Sequence, residues 1–131
     1  MKKLSFASVL VVALMALPSD AFAQGFARTI GISGDELLIG EPQFGGSPGV
    51  VYVYGRSGDG WEETGRIMSP TAADGDGFGF GVAVSGDQML VASVNPFNPG
   101  LGGIYSFSRG ADGWTNTGVT QATGLPEGMM L

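Results

Sequence analysis

An all-β fold of two four-stranded antiparallel blades is predicted by three features of this 131-residue chain. The stretch Asp74 to Ser93, DGDGFGFGVAVSGDQMLVAS, recurs in weaker form 52 residues upstream, at Gly25 to Gly40, GFARTIGISGDELLIG. The chain holds 24 glycines, many of them in turn dipeptides between short apolar or alternating runs. That is the pattern of short strands joined by tight turns. No stretch after residue 24 carries a helical period. A repeat near 50 residues marks a unit that cannot bury its own faces and must stack on neighbours.

Residues 1–23 have the layout of a Sec-type signal peptide. Lys2 and Lys3 open it, Leu4 to Leu17 is apolar, Pro18 breaks the run, and Ala21-Phe22-Ala23 gives a small-x-small cleavage site before Gln24. The apolar run is shorter than the about 20 residues that a membrane span needs. Cleavage after Ala23 and release to the periplasm or beyond are expected, with no membrane span in the mature chain. The remainder divides into a first repeat, 24–72, a second, 73–124, and a short tail, 125–131. Absence of cysteine leaves the fold without disulfides. After residue 23 the chain carries four Arg, no Lys and eleven acids. Nucleic acid and anionic membranes are therefore not expected partners, because both require a basic footprint.

Each repeat resolves into four strands. The first alternates large and small residues: Phe26, Arg28, Ile30 and Ile32 against Ala27, Thr29 and Gly31, and Phe78, Phe80, Val82 and Val84 against Gly79, Gly81 and Ala83. One face then packs on bulk and the other admits close backbone approach. A Ser-Gly-Asp turn follows at Ser33 to Asp35 and at Ser85 to Asp87, with glycine suited to a tight hairpin. The second strand, Leu37 to Ile39 or Met89 to Ala92, is continuously apolar and is expected to be buried on both faces. Loops rich in Pro and Gly come next, Glu41 to Gly49 and Ser93 to Gly102. The third strand is aromatic and β-branched, Val50 to Tyr54 and Gly103 to Phe107. The fourth opens on Trp61 or Trp114 and is mostly polar. Small residues first and polar residues last suit a propeller-type blade, whose inner strand is crowded and whose outer strand must guard a free edge.

Asp76-Gly77-Phe78-Gly79, Gly40-Glu41-Pro42 and the element Gly49-Val50-Val51-Tyr52-Val53-Tyr54, repeated as Gly102-Gly103-Ile104-Tyr105-Ser106-Phe107, resemble the FG-GAP repeats of integrin alpha-like β-propellers and of exported bacterial proteins. The resemblance covers Gly25 to about Gly118. It implies a partial β-propeller, since a full ring has roughly four to eight blades and this sequence offers two. A fragment or truncated member of a longer propeller, or a protomer that self-assembles to complete a ring, is the expectation. Calcium-binding members of the family carry an Asp-rich loop between the first two strands. Here that place holds Ser-Gly-Asp, too few oxygens for a cation that takes six to eight.

Asp74 and Asp76 are the candidate metal ligands, since two carboxylates separated by glycine can share calcium. A turn in which Asp and Gly serve the backbone is the favoured role, and no cofactor is expected. With no His, no Cys and no Lys after residue 23, the usual triads, thiol nucleophiles and Schiff bases are excluded. The chain is thus expected to be a non-catalytic module for protein or glycan binding or for assembly. The alternative is a carbohydrate-active enzyme, or a fragment of one, using paired carboxylates. Connections in a meander alternate between its two ends. One end therefore collects the long loops and the Asp74 turn, with Glu41, Phe44, Asn95, Phe97 and Asn98 as candidate binding residues held by a rigid scaffold.

Overall fold

A computed structural model describes residues 26–97 and 102–121. The leader, 1–23, the tail, 125–131, and Asn98 lie outside the described residues. The first sheet contains β1 (Thr29–Ser33), β2 (Glu36–Glu41), β3 (Val50–Ser57) and β4 (Gly60–Ile67). The second contains β5 (Phe78–Ser85), β6 (Gln88–Ser93), β7 (Gly103–Gly110) and β8 (Gly113–Thr120). Both are antiparallel meanders with the strands in chain order. The Ser-Gly-Asp turns are two-residue hairpins, with Gly34 at φ 59° and Gly86 at φ 56° supplying the left-handed conformation.

The two sheets stack in one direction, so that the front of the first meets the back of the second. The front of the first sheet presents Gly31, Leu38, Val51 and Val53, which the register places on one face. The back of the second presents Val82, Val84, Met89, Val91, Tyr105 and Phe107. Leu38, Val51, Val53, Met89, Val91, Tyr105 and Phe107 form the core with Phe78, and Val82, Val84, Ile67 and Trp114 pack against it. The missing side chain at Gly31 admits Val84, whose Cγ1 would lie 3.1 Å from a Cβ there. The small residues of the first strand thus have the role their alternation suggests. They let β1 and β5 approach each other.

Two expectations need correction. The first strand starts at Thr29 and not at Phe26, because Ala27 has φ 59° and leaves the ladder. Its repeat partner Gly79 has φ 87°, and the β5–β6 register shifts between Phe78 and Gly81. The second strand of the second repeat is buried on one face only. Leu90 is 48% exposed, while its repeat partner Leu38 is fully buried. Leu38 has a sheet in front of it, and the front of the second sheet has none among the described residues.

Candidate functional site

Connections alternate between the two ends as a meander requires. At one end the hairpin turns meet the third strands, with Arg56 N–H donating to Asp35 O at 2.9 Å and Arg109 N–H to Asp87 O at 2.8 Å. At the other end the long loops meet the link between the sheets. Gly75 N–H donates to Ser47 O and Gly77 N–H to Gln43 O, both at 2.9 Å.

Asp76 is the centre of this second end. It is 5% exposed. Its Oδ1 accepts from Gly49 N–H at 2.9 Å and from Phe78 N–H at 3.0 Å, and its Oδ2 accepts from Ala73 N–H at 3.3 Å. Ser93 Oγ donates to the Asp76 carbonyl at 2.6 Å, and Asn95 Nδ2 donates to the Gly75 carbonyl. A carboxylate in low dielectric is held by such amide donors. Asp76 thereby clasps the first sheet's long loop to the start of β5. Asp74 is exposed, and no group of three or more His, Cys, Asp or Glu that could hold a metal ion occurs among the described residues.

Beside this clasp lies an aromatic cluster. The Phe44 ring meets Phe80 and Phe97 edge-on, each with centroids 6.3 Å apart. The Arg28 guanidinium sits 4.2 Å over the Phe80 ring. Phe97 is 82% exposed, and its N–H is held by Asn95 Oδ1 at 2.8 Å. Phe44 from one long loop and Asn95 and Phe97 from the other are thus brought together. Glu41 stands apart on the first sheet's back face, where its Oε1 accepts from Gln43 Nε2 at 3.0 Å. Burial, with the hydrogen bond and charge of Glu41 added, pushes the Tyr52 hydroxyl up to about 12.

Sequence reasoning missed the joint at the opposite end. Glu36 Oε2 accepts from Arg109 Nη1 at 2.8 Å and from Trp114 Nε1 at 3.0 Å, while Arg109 Nε bonds Asp87 Oδ1 at 3.0 Å. The recurrence of an Arg and a Trp across each third-to-fourth hairpin was the available signal, since strand pairing puts Arg56 beside Trp61 and Arg109 beside Trp114.

Residues 61–107 match the family model described as FG-GAP repeat. The matched segment runs from β4 through β5 and β6 into β7, and so crosses the link that Asp76 clasps. No curated protein and no solved structure matches the chain.

Proposed function

Because the chain carries an FG-GAP repeat folded as propeller-type blades, we propose that it is an exported, non-catalytic binding module that engages a protein or glycan ligand through its long-loop end. The observation that carries this reading is the cluster of Phe44, Phe80 and Phe97, with Arg28 over Phe80 and Phe97 largely open to solvent. An exposed ring whose backbone is already held offers contact area at low ordering cost, which suits a protein hot spot or the face of a sugar. Profiling the purified protein on a glycan array and against extracellular proteins tests the proposal. Binding that Phe97→Ala reduces at least tenfold, with unchanged melting temperature, is expected. A ligand bound equally well by Phe97→Ala and Phe44→Ala would contradict it.

A further inference from the structure

After residue 23 the chain carries four arginines, and only two of them meet an acid. Arg66 pairs with Glu63, and Arg109 pairs with Glu36 and Asp87. Among the described residues Arg28 and Arg56 have no carboxylate partner. Arg56 lies over Trp61 at the hairpin end. Arg28 lies at the long-loop end, because it precedes Thr29, whose partner Gly40 stands near the loop end of β2. In a chain with eleven acids after residue 23, a guanidinium left without one is open to an acid from outside.

Arg28 is exposed yet held in place. Its guanidinium stacks 4.2 Å over the Phe80 ring. The joint of β1 with β5 fixes that pair, since Thr29 Oγ1 accepts from Val82 N–H at 3.2 Å. Irregular pairing between Phe78 and Gly81 releases Phe80 from the alternation of β5. The Phe80 ring then meets Phe44, while Phe78 stays in the core. Phe44 in turn meets Phe97, so one guanidinium and three rings form a continuous row. Stacking occupies the face of the guanidinium and leaves its N–H edge, which suits the two oxygens of a planar carboxylate. A side chain already stacked also loses little freedom on binding.

Few uncommitted polar side chains accompany the row. The Gln43 amide donates to Glu41, and the Asn95 amide bonds the Gly75 carbonyl and the Phe97 N–H. A sugar ring brings several hydroxyls that call for placed polar partners. An apolar side chain beside a carboxylate calls only for rings and a guanidinium. Resting on the reading of this end as a binding site, we infer that its ligand is a protein segment presenting a carboxylate beside an apolar side chain. Arg28 takes the carboxylate, and Phe44 and Phe97 take the apolar group.

NMR titration of the isotope-labelled protein tests the inference with four probes: N-acetylphenylalanine, its neutral amide, glucuronate and glucose. Both phenylalanine probes are expected to shift the Phe44 and Phe97 backbone signals. The free acid is expected to bind about fivefold more tightly than the amide, the scale of one exposed charge pair, and it alone should shift the Arg28 Nε–H signal. Arg28→Gln is expected to bring the acid down to the amide's affinity and to leave the amide unchanged. Arg28→Lys, which keeps the charge and loses the fork, should retain part of the preference. Phe97→Ala should weaken both probes alike. Equal binding of acid and amide by the parent protein overturns the inference and leaves the loop end standing as a binding site. Glucuronate bound more tightly than the phenylalanine acid overturns the peptide assignment in favour of an acidic glycan. Probes that shift neither Phe44 nor Phe97 overturn the inference together with the reading beneath it.

Discussion

Glu36 and Arg109 form an ion pair at 2.8 Å across the joint between the two sheets, 73 residues apart in sequence. Each side chain is 25% exposed, so solvent screens part of the attraction. The same carboxylate oxygen also takes the Trp114 indole N–H, which fixes the ring against the core. Glu36→Ala is expected to lower unfolding free energy by about 1–2 kcal/mol, the scale of hydrogen bonds to a charged group less that screening. Glu36→Gln keeps an acceptor and should lose less than half as much. Urea denaturation of the two variants makes the comparison.

Asp76 holds three backbone amides from a buried position. Removing it orphans those donors, so Asp76→Ala should cost about 3 kcal/mol or more. Asp76→Asn keeps one oxygen for Gly49 and Phe78 and should cost less. Because both Asp76 oxygens face amides, we expect calcium or a chelator to leave the melting temperature unchanged. A calcium-dependent rise that Asp74→Ala abolishes would reassign this turn as a cation site.

The two glycine-like positions of the first strands differ in a way that calorimetry can read. Ala27 has φ 59°, a region that costs a side-chain-bearing residue about 1–2 kcal/mol. Ala27→Gly should therefore raise stability by up to about 1 kcal/mol, less the entropy that glycine adds to the unfolded chain. Gly79→Ala should do the reverse and more. Gly79 has φ 87°, and a Cβ there would lie 2.8 Å from Val50 O.

Tyr52 sets an alkaline limit. Its hydroxyl is raised to about 12, chiefly by burial and then by Glu41. A raised folded value means that the unfolded chain loses this proton first. The stabilisation is complete below pH 10 and disappears as pH climbs through about 12. The ring is only partly buried, so the effect should be under about 1 kcal/mol after screening. Melting temperature should fall less steeply between pH 10 and 12 in Tyr52→Phe than in the parent.

Much of this architecture was legible because local rules produce it. The Ser-Gly-Asp turns, the period-two alternation in β1 and β5 and the Pro-Gly loops each act over a few residues, and the repeat doubled every signal. Loop parity then gathered Phe44, Asn95 and Phe97 at one end. What stayed hidden depends on partners distant in sequence. Asp76 looks like half of a cation loop until Gly49 is seen to donate to it. Leu90 reads as core because it is apolar, and its half-exposure follows only from the lack, among the described residues, of a sheet in front of it. Glu36 shows its use only once β2 is stacked beside Arg109 and Trp114.

The central claim is the stacking of the first sheet's front on the second sheet's back, with Gly31 facing Val84. A Cβ at Gly31 would lie 3.8 Å from the Val84 Cβ, the typical separation in a disulfide. The chain has no cysteine to compete. Mild oxidation of the Gly31→Cys/Val84→Cys variant, followed by mass spectrometry, should give a near-complete intramolecular cross-link. Gly31→Cys/Ala83→Cys, whose second thiol lies on the opposite face, should give almost none. Cross-linking of the second pair as readily as the first, or of neither, would contradict the stacking.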